Sequence, residues 1–268
     1  MGEILVRDVS KIWGIDTTEE VLTLDRVSLT VQPGEFLVII GPSGCGKSTL
    51  LNMMAGLDTP TSGLVLHNGQ TIVGPSPDRS LIFQQPSLLP WQSLIDNVAF
   101  GLTLKGIGRR ERYQRAQEFL NQVGLQGFAR KYPHQLSGGM QQRASIARAL
   151  CLGTDILLMD EPFAALDVQT RFKMQEFLLD IWKGSGKTVV FVTHHIDEAV
   201  FLADRVVILT SRPGRILDTV EINMSRPRDV ASKSFEHHRS LFIDHLRSEV
   251  TKAFEQQELV EMFDTSFK

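Results

Sequence analysis

Eight consecutive residues, Gly41-Pro42-Ser43-Gly44-Cys45-Gly46-Lys47-Ser48, concentrate chemistry-bearing types at the spacing G-x-x-x-x-G-K-[ST]. Glycines there let the backbone curl so that successive N–H groups converge on an anion. The lysine would neutralise β- and γ-phosphates, and the last hydroxyl is a hard oxygen donor suited to Mg2+. A second constellation is Ile156-Leu157-Leu158-Met159-Asp160-Glu161-Pro162, an apolar run that ends in two carboxylates. Ligands of open α/β sheets sit at the carboxyl ends of strands. Asp160 is therefore placed to hold Mg2+ through water, and Glu161 to polarise the water that attacks in phosphoryl transfer. Cys45 lies beside Lys47 and a predicted helix N-terminus, a setting that favours the thiolate. The expectation is that alkylation of Cys45 blocks ATP binding and that ATP protects it.

These groups need elements to position them. Phe36-Leu37-Val38-Ile39-Ile40 is a continuous apolar run, the pattern of a parallel strand buried on both faces. A helix-like run from Ser48 to Ala55 follows the glycine-rich loop and is closed by Gly56, so the helix N-terminus points at the loop. Ile4-Leu5-Val6 and Val27–Val31 alternate like strands. Residues from about 97 to 153 read as helical, and strand signals then return at 156–159, 189–192 and 206–209. Strands alternating with helices imply a parallel sheet covered on both faces, with the helical block as an inserted subdomain. Near the end, Phe242, Leu246, Val250 and Phe254 recur every four residues, which predicts an amphipathic helix packed on its own domain.

Composition narrows the function classes. The chain has 268 residues, 42% of them hydrophobic, and a formal charge of −3. The length suits one large domain with a subdomain and tail. The charge balance argues against a dedicated nucleic-acid binder. No apolar run approaches the roughly 18–20 residues that span a bilayer. The opening residues lack a basic segment followed by an apolar core, so a cytoplasmic protein is expected, with any membrane role carried by a partner. The two cysteines, Cys45 and Cys151, are expected as free thiols.

A phosphate loop alone leaves kinases, GTPases, helicases and motors open. Leu136-Ser137-Gly138-Gly139-Met140-Gln141-Gln142-Arg143, just upstream of the acidic strand, resembles the LSGGQ signature of ABC ATPases, with Met140 where glutamine is usual. Ser137 and two glycines at a helix start make a second anion site. The resemblance covers roughly residues 3–220 and leaves 221–268 as a C-terminal tail. It implies an α/β P-loop NTPase fold: a RecA-like parallel sheet core, an N-terminal antiparallel β-subdomain and the inserted helical subdomain. It also implies ATP and Mg2+ as ligands. Two copies would form a head-to-tail sandwich, in which Ser137, Gly138, Gly139 and Gln141 close on the nucleotide of the other copy. Further residues match family positions. Gln84 matches the glutamine that senses Mg2+ and water, Asp167 in Ala165-Leu166-Asp167 the D-loop, and His194 in Val192-Thr193-His194 the switch histidine at the γ-phosphate, with His195 the lesser candidate. Trp13 matches the aromatic that stacks on adenine. Gly41 to Ser48, with Thr49, would line the phosphates.

Pro86-Ser87-Leu88-Leu89-Pro90-Trp91, Asp96–Leu102, and Ser211-Arg212-Pro213-Gly214-Arg215-Ile216 look like the nitrate, sulfonate and taurine importer branch. Such a chain would sit peripherally on the cytoplasmic face of the membrane. Its partners would be transmembrane permease subunits and, indirectly, a solute-binding protein. Leu88, Leu89 and Trp91 would form part of the permease docking surface. The alternatives are the ATPase of an exporter or lipoprotein-release complex, a soluble ABC ATPase acting on DNA or ribosomes, and a small-molecule P-loop kinase. The signature helix speaks against the last. The lack of long coiled-coil insertions or a second cassette speaks against the soluble ABC ATPase.

Overall fold

The computed structural model describes residues 2–15, 17 and 19–266, with side chains through Lys252. Contacts divide the chain into two compact units, one spanning 76–189 and the other joining 2–75 to the chain from 190 onward.

The second of these units begins with β1 (Ile4–Trp13) and β2 (Val21–Val31), which pair antiparallel. β3 (Phe36–Ile40) is buried at every residue, as its apolar run predicts. The glycine-rich loop follows, then α1 (Lys47–Ala55). Gly56 ends this helix at a φ of 81°, with its N–H on Met53 O, so a left-handed glycine stops the helix where the sequence marks it. β4 (Ser62–His67) and β5 (Gln70–Thr71) complete an antiparallel sheet in the order β2-β1-β4-β5. This is the expected N-terminal antiparallel β-subdomain.

The 76–189 unit opens with β6 (Arg79–Ile82) and continues through α2 (Leu94–Leu104), α3 (Arg109–Gln122) and α4 (Gly138–Leu152). The helical block lies in this unit together with β7 (Ile156–Asp160) and α5 (Val168–Trp182). β6 and β7 pair in parallel, Ile82 opposite Met159. Asn97 on α2 is fully buried. Its Oδ1 accepts from Leu89 N at 2.7 Å, and its Nδ2 donates to the carbonyls of Leu89, Gln92 and Ser93, each at 3.1 Å. One side chain thus replaces the backbone partners that an irregular segment lacks, and it gives shape to residues 89–93.

β8 (Thr188–Val192) carries the chain back into the other unit, where α6 (Ile196–Leu202), β9 (Arg205–Leu209), β10 (Ile216–Glu221) and α7 (Lys233–Ser266) follow. β9 runs parallel to β3, Ile208 opposite Ile40, and β10 closes on β9 antiparallel. Arg205 bridges Glu35 at 2.7 Å. Arg228 is almost fully buried and donates to Val200 O at 2.7 Å and Phe201 O at 3.2 Å, satisfying carbonyls near the end of α6. Burial lowers its pKa to about 10, which still leaves it charged at neutral pH.

The tail helix forms but turns a different face inward. Among the described side chains, the buried residues of α7 are Phe235, Phe242 and Glu249, seven apart, whereas Leu246 is half-buried and Val250 is 38% exposed. A four-residue repeat advances about 40° round the helix at each step, so by Val250 the predicted stripe has rotated off the packed face. Phe254 lies beyond the described side chains. Replacing Asn97 by leucine should leave Leu89 N without its partner, at about 1–3 kcal/mol for each buried group so stranded. A fall in thermal midpoint of roughly 4 °C or more is expected. A midpoint unchanged within about a degree would show that residues 89–93 hold their shape without this side chain.

Candidate functional site

The glycine-rich loop leaves β3 and enters α1 through two left-handed residues, Gly44 at a φ of 74° and Gly46 at 100°. Gly46 is doubly constrained, because a Cβ there would lie 2.6 Å from Leu24 Cδ2. α1 has no side-chain N-cap and no acidic residue in its first turn. Its leading N–H groups and the positive end of its dipole are therefore left for an external anion. Lys47 is 6% exposed, and its ammonium donates to Gly41 O and Pro42 O, both at 2.8 Å. These partners are neutral, so they do not offset its charge. Ser43, Gly44 and Ser48 are exposed at the loop surface, Thr49 is half-buried, and Pro42 is buried.

The same unit holds Trp13 and His194. Trp13 is 46% exposed, and the Lys11 ammonium sits 4.2 Å from its ring centroid. Lys11 is fixed in turn by Asp58 at 2.7 Å and Thr59 O at 2.9 Å, so the indole has a charged, anchored neighbour. His194 is exposed just after β8. Buried Thr193 anchors this turn: its N–H donates to Ile39 O at 3.2 Å, its hydroxyl donates to Glu198 at 2.6 Å, and it accepts from His195 N at 3.0 Å. The rings of His194 and His195 lie 4.2 Å apart.

The remaining predicted residues belong to the 76–189 unit. Gln84 Nε2 donates to Glu161 Oε2 at 3.0 Å, which brings the glutamine just after β6 to the second carboxylate after β7. Glu161 adopts a φ of 44°. For a residue with a Cβ that region costs about 1–2 kcal/mol, a strain that sets the turn after Asp160. Asp167 caps α5 by accepting from Thr170 N at 3.0 Å, and that bond holds its carboxyl below the ordinary range. Ser137 caps α4 by accepting from Met140 N at 3.3 Å. Gln141 is turned inward, with its amide on Pro133 O at 3.0 Å and Leu136 O at 3.2 Å, so it props the loop before α4.

The two signature glycines behave differently from those of the phosphate loop. Gly138 is exposed, has no positive φ, and a Cβ there would meet nothing within 4 Å. A Cβ on Gly139 would sit 3.4 Å from Ala165 O, an ordinary contact. Neither backbone conformation nor internal packing demands glycine at 138.

Several positioning residues escape a reading by motif. Gln142 is fully buried and donates to Phe83 O at 3.2 Å, linking the signature helix to the residue before Gln84. Glu198 and Lys11 act similarly for His194 and Trp13. For Mg2+, the hydroxyl of Ser48 and the carboxylate of Asp160 are hard oxygen donors of the right kind. Among the described residues no group of three or more His, Cys, Asp or Glu forms a cation site. Phosphate oxygens and water would complete the shell, as Mg2+ sites of this chemistry use them.

Cys45 corrects the expectation of a reactive thiolate. It is fully buried, and burial pushes its thiol upward, outweighing Lys47 Nζ at 3.8 Å. Cys151 is likewise buried and raised to about 11. Iodoacetamide at pH 7.5 should label both cysteines of the native chain at least about tenfold more slowly than an exposed thiol, with or without ATP. Mass spectrometry of labelled peptides reads this, and rapid, ATP-protected labelling of Cys45 would restore the thiolate.

A family model described as ABC transporter matches residues 24–164. An uncharacterized ABC transporter ATP-binding protein of Methanocaldococcus jannaschii is 51% identical over 251 residues, 94% of each chain. The nitrate import ATP-binding protein NrtD of Synechocystis is 46% identical over 82% of each chain. The taurine import ATP-binding protein TauB of Escherichia coli is 46% identical over 88% of this chain and 92% of its own. A dimeric structure of a post-hydrolysis ATP-binding cassette bound to ADP and Pi matches with a TM-score of 0.76 at 35% identity, covering 83% of this chain and all of that one. A dimeric bacterial ABC transporter cassette matches equally well at 36% identity. With its phosphate loop, acidic strand end and signature helix in family order, the chain belongs to the ABC transporter family, as one of its ATP-hydrolysing cassettes.

Proposed function

We propose that this chain powers the import of a small solute through a membrane permease and works as one half of a nucleotide sandwich of two copies. The observation that carries the reading is the start of α4. There an exposed, capped helix N-terminus presents glycines that internal sterics do not require, a surface suited to the phosphate of a nucleotide held by another copy. The dimeric cassettes that match this chain support an assembly of two copies.

Within one chain, Lys47 and the N-terminus of α1 receive the β- and γ-phosphates. Trp13 stacks on adenine. Ser48, Gln84 and Asp160 would hold Mg2+, which would draw phosphate charge and order the attacking oxygen. Glu161 accepts a proton from the attacking water, and Gln84, bonded to its carboxylate, sets the direction of that oxygen pair. His194 contacts the γ-phosphate, and Asp167 joins the contact between copies. Nucleotide that binds the closed pair better than the open pair shifts the population toward closure, and hydrolysis removes that preference.

The membrane partner docks on the 76–189 unit. Of the residues expected to dock, Trp91 is 71% exposed whereas Leu88 and Leu89 are half-buried; Leu104 at 74% exposure and Phe100 add to the apolar surface that unit offers a cytoplasmic helix of a permease. No described helix is long and apolar enough to cross a membrane. A peripheral position at the cytoplasmic face, through that partner, fits the chain. The relatives named for nitrate and taurine import support a small anion such as nitrate, sulfonate or taurine as the cargo, and a solute-binding protein would deliver it.

Glu161→Gln keeps shape and hydrogen bonding but cannot take a proton. Hydrolysis should fall about 10²- to 10⁴-fold while ATP binding persists, and sedimentation should show a monomer that becomes a dimer only with Mg-ATP. Turnover near that of the unaltered chain would remove Glu161 as the base. A persistent monomer at saturating ATP would remove Ser137–Gly139 as the site that acts on the other copy.

A further inference from the structure

The tail helix reaches the phosphate loop through a single buried carboxylate. Glu249 on α7 is 2% exposed. Its Oε2 accepts from Ser211 N at 2.8 Å and from Ser211 Oγ at 3.1 Å, and its Oε1 accepts from Lys252 Nζ at 2.5 Å. Ser211 opens the turn between β9 and β10, and the far side of that turn rests on the phosphate loop. A Cβ on Gly214 would lie 2.1 Å from Cys45 O, so only glycine lets the two backbones meet there. The guanidinium of Arg212 stands 3.2 Å from where a Cβ of Gly44 would be. The turn is locked on its other borders as well. Gly214 N donates to Thr23 O at 2.8 Å, Asp25 N donates to Gly214 O at 3.0 Å, and Thr210 Oγ1 donates to Pro213 O at 2.9 Å.

We propose that Glu249 is a positioning residue for nucleotide binding: it holds Ser211, and through the Ser211–Gly214 turn it braces Cys45 and Gly44 of the phosphate loop. The C-terminal helix is then part of the nucleotide site, and anything that shifts α7 tunes the affinity for ATP. A buried carboxylate that accepts three hydrogen bonds is well spent only if the element it holds must not move, since a charge taken out of water without partners is costly. Here the held element is a turn whose backbone touches the loop that wraps phosphate. Glu249 acts through Ser211 on loop geometry, and so on ground-state binding more than on the hydrolytic step.

This inference rests on Gly41–Ser48 being the nucleotide site, and the experiment separates the two. ATP affinity and steady-state hydrolysis are measured on the full-length chain and on Glu249→Ala, Glu249→Gln, Ser211→Ala and Lys47→Ala, with circular dichroism to confirm folding. Glu249→Ala should weaken ATP binding about ten- to hundredfold, the size of one lost charged hydrogen bond, with kcat at saturating ATP within about twofold. Glu249→Gln, which keeps an acceptor for Ser211 N–H, should recover most of the affinity. Ser211→Ala should move in the same direction by a smaller factor, and it decides the matter if Glu249→Ala does not fold. Unchanged affinity in a folded Glu249→Ala or Ser211→Ala chain, while Lys47→Ala loses binding, would overturn the role of Glu249 alone. Retained binding in Lys47→Ala would overturn the nucleotide site itself.

Discussion

The constraint on which the rest of this protein depends is the juxtaposition of a bare helix N-terminus and a buried ammonium. α1 begins without a capping side chain, and Lys47 is nearly buried with carbonyl partners. Such a concentration of positive potential is costly to assemble unless a phosphate completes it. The fully buried strand β3 delivers the loop, left-handed glycines bend it, and Leu24 and the turn at Gly214 press on its back. Those contacts come from segments distant in sequence, so the phosphate cradle is a tertiary product built around a contiguous motif.

A second theme is how reactive side chains are left exposed while their neighbours are fixed. His194 faces solvent because Thr193 is pinned to Ile39 and Glu198. Gln84 reaches Glu161 while Gln142 grips the carbonyl of Phe83. Trp13 keeps almost half its surface open while Lys11, itself held by Asp58, sits over the ring. In each case a buried polar residue fixes, by hydrogen bonds, the backbone beside the functional group or a neighbour of its ring. This lowers the number of conformations available to the functional group before any ligand arrives.

The carboxyl-terminal part of the chain follows the same economy. Arg228 satisfies carbonyls of α6, and Arg226 reaches Asp204 at 2.6 Å while Asp204 accepts from Phe36 N at 2.9 Å. The return segment is thereby tied to the start of β3, and α7 is tied to the turn that backs the phosphate loop. The segments around β3 and the glycine-rich loop are thus held by residues well beyond position 200.

The sequence alone determined whatever depends on contiguous residues. The eight-residue phosphate loop, the Ser137–Gly139 helix start, the apolar strand ending at Asp160 and Glu161, and the left-handed stop at Gly56 were all legible, because backbone curvature, capping and strand burial follow local residue type. The antiparallel β-subdomain followed from resemblance once those motifs named a family. What only the tertiary structure decided involves desolvation or partners far along the chain. Cys45 looked activated by Lys47, yet its full burial raises the thiol. Gln141 sat in the signature, yet its amide is spent on Pro133 and Leu136. The α7 stripe was drawn through Val250, yet the packed face runs through Phe242 and Glu249, because which face of a helix is buried depends on its neighbour. The links from Glu249 to Ser211, from Gln142 to Phe83 and from Lys11 to Asp58 join residues 38, 59 and 47 positions apart. No local propensity encodes such pairs: a buried polar group finds its partner only when the fold removes water from both.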